Sequence, residues 1–313
     1  MSSSAVAVPS RGKAKAKAKA KANLSGAPVR RLLAPAVIFM FVWMIVPLVM
    51  TLYYAFRRYN LMMPDVTGFA GITNFKLMFT DPTFWDSLIN TLVLVGASLV
   101  ITVGVGLGLA ILFNRTFAGR GVARTLAIAP FFVMPVVTGL IWKNMLFHPV
   151  YGLLAWVFRH LGLNPIDWLA QYPMLSIIIM VSWEWIPFAL LILLTGLQSL
   201  PEDQIEAVRL DGANRWQEFR HIVVPHLGQV LYVVVMLESI FFLTSFAEIY
   251  TTTSGGPGTA TTNLPYYIYQ SAFFQYDIGI SSAAAIGAVI LANIFSIFLI
   301  RFVAGNLNAG SRR

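Results

Sequence analysis

The sequence predicts an all-α membrane protein with six transmembrane helices. Apolar residues make up 58% of the chain and charged residues only 11%, whereas soluble domains carry about a quarter charged residues. Six apolar stretches reach the roughly 20 residues that a helix needs to cross a hydrocarbon core of about 30 Å. They cover residues 32–56, 88–113, 125–146, 174–197, 229–252 and 281–303. The basic residues between and beyond them fall mostly on one side.

Residues 1–31 form a basic tail. Lys13, Lys15, Lys17, Lys19 and Lys21 alternate with Ala, flanked by Arg11, Arg30 and Arg31. A disordered cytoplasmic tail held near anionic membrane lipid explains this run better than a nucleic-acid arm, given the spans that follow. The first span is too long for the 7–15-residue core of a signal peptide, so it is expected to stay uncleaved. With the N-terminus inside, the tail, Arg115, Arg120, Arg124, Arg209, Arg215, Arg220, Arg301, Arg312 and Arg313 share the cytoplasmic side. Arg57, Arg58, Lys76, Lys143 and Arg159 fall outside. Both termini are therefore cytoplasmic, with 304–313 as a short C-terminal tail after the 32–303 membrane domain.

Pro35, Pro47, Pro130, Pro135 and Pro187 lie within spans, which points to a bundle whose neighbours satisfy the freed backbone groups. Gly104, Gly106 and Gly108 in the second span include a Gly-x-x-x-Gly spacing suited to close helix packing. They do not follow a strand, so they are no dinucleotide fingerprint. Cys is absent, which removes disulfides, thiolate metal sites and Cys nucleophiles. His148, His160, His221 and His226 have no zinc or catalytic spacing, so no enzyme activity, metal or cofactor is expected.

The 199–225 connection between the fourth and fifth spans has its own order. Ser199 and Glu202 have capping-box spacing, with Pro201 in the first turn. Gly212 is placed to end that helix in a left-handed conformation. Phe219, Ile222 and Val223 give a second short helix an apolar stripe before Pro225. A loop this ordered reads as a docking surface.

Its residues carry a resemblance. Glu206-Ala207-Val208-Arg209-Leu210-Asp211-Gly212-Ala213, followed by Phe219, Ile222 and Pro225, resembles the EAA loop of binding-protein-dependent ABC importer permeases. The chain departs in having Val208 for the second Ala and Val224 before the Pro. The resemblance covers about residues 86–303 and implies the type I importer (MetI-like) fold. In that family the loop forms helices seated in a cleft of the ATPase, which carries over Glu206, Ala207, Asp211 and Gly212 as coupling residues. It also implies four partners: an ATP-binding subunit dimer, a second homologous permease, an extracytoplasmic solute-binding protein, and a bacterial inner membrane. The chain has no Gly-x-x-x-x-Gly-Lys-Ser/Thr loop of its own, so ATP hydrolysis is expected in a separate subunit.

Residues 253–269, from Thr253 through Gly255-Gly256-Pro257-Gly258 to Tyr269, resemble the outer segment of carbohydrate-importer permeases. Phe246-Ala247-Glu248-Ile249 resembles the polyol branch. The expected cargo is thus a sugar or polyol. Tyr266, Tyr267 and Tyr269 suit a membrane-interface belt first and sugar stacking second.

Acids inside spans are costly and normally face a bundle interior or a wet cavity. Glu184, between Trp183 and Trp185, offers an acid beside flat aromatics, as a polyhydroxy solute requires. Glu238 and Ser245 are seven residues apart, on one face of a continuous helix. Glu248 and Asn293 complete the polar set. By analogy with related sugar importers, Trp185, Phe188, Glu238, Phe242 and Ser245 line the path. The alternative is a stand-alone secondary transporter using Glu184 and Glu238 as proton carriers.

Overall fold

The structure, a computed structural model, describes residues 27–310. Most of the predicted tail, residues 1–26, lies outside the described residues, as do residues 311–313. Two compact units divide the chain at Tyr53. The first holds most of α1 (Ala27–Ala55), which starts five residues before the predicted domain boundary at 32. This helix is apolar around its whole circumference, the pattern of a buried or lipid-facing span. Pro47 removes one backbone donor from it, and the Pro47 carbonyl accepts from Thr51 Oγ1 at 2.9 Å.

The second unit opens with a two-residue antiparallel hairpin, β1 (Arg57–Arg58) with β2 (Gly68–Phe69). Asn74, on α2 (Thr73–Thr80), ties this entry down by donating to the Ala55 and Arg57 carbonyls at 2.9 and 2.8 Å. Asp81 then caps α3 (Pro82–Asn114) through the Thr83 N–H at 2.9 Å, and Pro82 sits where a missing N–H costs nothing.

The predicted 125–146 span is not one helix. It is α4 (Arg120–Ile128) with a 3₁₀ turn to Phe132, then α5 (Pro135–Ile141) with a π turn to Leu146, and the two parts are bent by 104°. Pro135 excludes the preceding Met134 from the helical region, and Val133 and Met134 are both extended. Five helices among the described residues are long and apolar enough to cross a membrane, and six crossings require this bent pair to be one of them.

After α6 (Leu153–His160) and α7 (Trp168–Gln171) comes the central helix, α8 (Pro173–Gln198). Its apolar residues Ile177, Met180, Val181, Ala189, Leu190 and Leu193 are all buried. They meet Leu94, Val95, Ala110 and Phe113 of α3 in two clusters along its length. The close approach is at Gly106, where a Cβ would lie 2.7 Å from the Ala189 Cβ; Gly104 and Gly108 face open space. Contact is thus made by the glycine between the predicted pair, because the α3 face that meets α8 also carries Thr102 and Ala110.

The chain continues through α9 (Glu202–Leu210) and α10 (Arg215–Glu218), then a π turn into α11 (Val224–Leu243). The predicted 229–252 span ends early, at Leu243, with a break before α12 (Ala247–Thr251). Asn263 donates to the Ser245 carbonyl at 2.6 Å and so takes a backbone acceptor that a continuous helix would have used. α13 (Leu264–Phe273) and α14 (Ile278–Gly310) close the fold, and α14 runs past the predicted domain end at 303.

Candidate functional site: the 199–225 loop and the polar groups inside the bundle

α9 begins after Pro201, and no side chain caps it. The predicted Ser199 cap is not formed: Ser199 Oγ lies 2.8 Å from the Gly196 carbonyl and 3.0 Å from His226 Nε2. The hydroxyl donates backward to the Gly196 carbonyl in the last turn of α8 and so does not reach forward. The capping box sits one helix later, where Asn214 accepts from the Gln217 N–H at 2.9 Å and Gln217 Oε1 accepts from the Asn214 N–H at 2.8 Å.

The left-handed stop is where the sequence places it. Gly212 has φ +84°. The Ala213 N–H reaches the Val208 carbonyl at 3.2 Å and the Gly212 N–H reaches Arg209 at 3.1 Å, the paired bonds of a Schellman ending. Arg209 then grips Glu218 with two parallel bonds of 2.9 and 3.0 Å. That fork joins α9 to α10. The Glu218 bonds and charge raise the pKa of the Arg209 guanidinium further above neutrality.

α9 turns Ile205 and Val208 inward, half-buried, and leaves Glu206, Ala207, Leu210, Asp211 and Gly212 exposed. Leu210 is 89% exposed and Trp216 64%. Leu210 lies three residues after Ala207 and four after Glu206, on their face of the helix; sequence reasoning quoted it but did not assign it to the docking set. An exposed apolar side chain on a stapled pair of short helices is what a docking surface presents.

Inside the bundle the predicted polar residues separate. Glu238 is fully buried, and Thr102 on α3 donates to its Oε2 at 2.5 Å. Its Oε1 has no partner among the described residues. Thr102 was missed, although Ser98 and Thr102 four apart mark a polar face of an apolar helix. Ser245 falls in the break after α11, so the seven-residue spacing from Glu238 does not put the two on one helical face.

Glu184 is buried on α8, and its Oε2 has no partner among the described residues. Glu248 is also buried, on α12, which packs against α8. The two Trp residues do not sandwich Glu184, because neighbouring positions on a helix point about 100° apart. Trp183 packs edge-on to Trp142 at 5.7 Å. Trp185 joins Phe188 at 5.7 Å, Phe242 at 5.8 Å, Phe241 at 4.5 Å and Phe131 at 5.8 Å. The structure thus brings Trp185, Phe188 and Phe242 together and adds Phe131 from the bend between α4 and α5. Asn293 is exposed and donates to the Val289 carbonyl of its own helix at 2.8 Å.

The outer segment is a closed knot of hydrogen bonds. Asn90 on α3 donates to the Thr259 and Thr262 carbonyls at 2.8 and 3.0 Å. Thr259 donates to Asp86 at 2.8 Å, and Asn263 caps α13 at the Tyr266 N–H. Tyr266 and Tyr267 are buried, so they form no interface belt. The Tyr267 hydroxyl donates to Asp81 Oδ2 at 2.9 Å, and burial beside that carboxyl pushes its pKa up. Lys143, expected on the outer side at the end of the 125–146 span, donates to the Thr251 and Thr252 carbonyls at 3.3 and 2.9 Å.

Residues 100–308 match the family described as the binding-protein-dependent transport system inner membrane component. The chain belongs to this family. A probable ABC transporter permease protein of Sinorhizobium fredii is 34% identical to this inner membrane component, over 80% of this chain and 81% of that one. The trehalose/maltose transport system permease protein MalF of Thermococcus litoralis is 32% identical, over 86% and 91% respectively. The structure of a bacterial alginate ABC transporter with an alginate pentasaccharide-bound periplasmic protein contains a chain of the same fold. It gives a TM-score of 0.76 at 21% identity, covering 89% of this chain and 94% of that one. This inner membrane component is therefore a transport subunit with the expected MetI-like fold, and the stand-alone secondary transporter reading of Glu184 and Glu238 is left without support.

Proposed function

We propose that this subunit forms, with a second homologous permease, the path for a sugar or polyol delivered by an extracytoplasmic binding protein, powered by a separate ATPase dimer. The observation that carries the reading is the 199–225 loop. It is stapled by Arg209–Glu218, closed by Gly212, and exposes Glu206, Ala207, Leu210 and Asp211. A rigid two-helix platform transmits force from a moving partner where a slack connector would absorb it. A symmetric ATPase dimer needs two such platforms, and this chain has one, hence the second permease. The excess of Lys and Arg in the N-terminal tail, in the loop and after the last span supports a cytoplasmic loop and cytoplasmic termini in a bacterial inner membrane.

The carbohydrate class is supported by the trehalose/maltose relative and by the 253–269 resemblance. Within the bundle, Trp185, Phe188 and the nearby Phe131 offer flat faces for a sugar ring. Glu184 and Glu248 offer acceptors in the same membrane domain. Glu238 and Phe242 contribute by holding helices; the Asn293 amide already donates to the Val289 carbonyl, and Ser245 is engaged through its main chain, its carbonyl accepting from Asn263.

Gly212→Pro tests the coupling role. Proline's φ of about −65° is incompatible with +84°, and it removes the Gly212 N–H bond to Arg209. The expected result is a membrane-inserted, assembled complex that no longer couples binding-protein addition to ATP hydrolysis. Normal stimulated hydrolysis would overturn the assignment. The cargo is tested separately, by which sugars and polyols raise the melting temperature of the cognate binding protein.

A further inference from the structure

Between the end of the bundle and the 199–225 loop lies a cavity of about 840 Å³. Its apolar lining, or floor, includes Leu197 in the last turn of α8 and Leu200 just beyond it, and it is also lined by Arg115, directly after α3, and Arg215 on α10. Arg209 and Glu218 also line it and neutralise one another. Arg115 and Arg215 form no ion pair among the described residues. The cavity therefore combines two uncompensated guanidiniums with an apolar floor.

We propose that this cavity binds a phosphate ester, held by Arg115 from just after α3 and by Arg215 from α10. Guanidinium forks match phosphate oxygens geometrically as well as electrostatically. The position points to an anionic phospholipid headgroup as the source. α3 has 33 residues and rises about 50 Å, against about 40–45 Å for a bilayer with its headgroups. Its end thus reaches the headgroup layer, and the apolar floor accepts the first carbons of an acyl chain. A phosphate bound there ties the end of α3 to α10, joining the bundle to the loop. This site is independent of which solute the protein carries.

The test uses the full chain in its purified complex. Nanodiscs of equal phosphatidylglycerol and phosphatidylcholine are dissolved in neutral detergent, and retained lipids are counted by native mass spectrometry. Each Arg beside an anionic headgroup contributes roughly fivefold, so wild type should prefer phosphatidylglycerol by about thirtyfold. Arg115→Gln with Arg215→Gln should lose that preference, while Arg115→Lys with Arg215→Lys keeps most of it. Leu200→Trp, which fills the cavity without changing charge, should also expel the lipid. In a second arm, inorganic phosphate is added to lipid-depleted complex. Arg-dependent thermal stabilisation without lipid preference would identify a free phosphate as the source and still support the site. Wild type with neither response overturns the proposal, and so does a lipid preference that survives Leu200→Trp and the double Gln variant.

Discussion

Thr102→Val gives a direct test of how the polar interior is held together. Valine keeps the branched shape and deletes the one hydroxyl that Glu238 meets among the described residues. The carboxyl is fully buried, and its other oxygen already lacks a partner. Hydrogen bonds between membrane helices average about 0.6 kcal/mol, with a maximum of about 1.7. Stranding a buried acceptor costs about 1–3 kcal/mol. The expected loss is therefore about 1–2 kcal/mol, or roughly 5- to 30-fold in the folded ratio. Titration of the purified chain with SDS in mixed micelles, followed by Trp fluorescence, measures it. Glu238→Leu in the Thr102→Val background removes both polar groups and should recover most of the loss. Wild-type stability in Thr102→Val would refute the reasoning, as would equal effects of Glu238→Leu in the two backgrounds, since then no coupling exists between the residues.

Two further substitutions separate packing from capping. Gly106→Ala forces its Cβ against the Ala189 Cβ and the Leu190 backbone N, so α3 and α8 must part at a cost of about 1–3 kcal/mol; Gly104→Ala and Gly108→Ala, in open space, should hold or raise the same SDS midpoint, since Ala favours the helix. Asn263→Ala loses the cap of α13 and the bond to the Ser245 carbonyl. A lost cap costs about 1 kcal/mol, and limited proteolysis should find new cleavage within residues 253–263.

The extent of most spans was legible because a bilayer imposes a length and an apolar composition that one sequence displays openly. α8 and α3 came out at nearly their predicted positions for this reason. Gly212 was legible because only a left-handed stop explains a glycine between two short amphipathic helices. Most of the failures share a cause: a distant residue took a group that local pattern had assigned elsewhere. His226 and Gly196 engage Ser199, Asn263 interrupts the fifth span, Asp81 draws Tyr267 inward, and Thr102 captures Glu238. Each partner lies 18 or more residues away, apart from Gly196, and no periodicity within a span reports it.

The sequence by itself determined the membrane class, the approximate spans and the docking loop with its family resemblance. These follow from composition, helix period and turn chemistry, which act over a few neighbouring residues. Tertiary structure alone decided which acids are engaged and which glycine makes the helix contact, whereas the 104° bend of the third span has a local source in Pro135. In the bilayer, apolar burial scarcely distinguishes one helix face from another, so side-chain hydrogen bonds and close backbone approach make the choice. Those depend on residues brought together from distant parts of the chain, as Thr102 and Glu238 are.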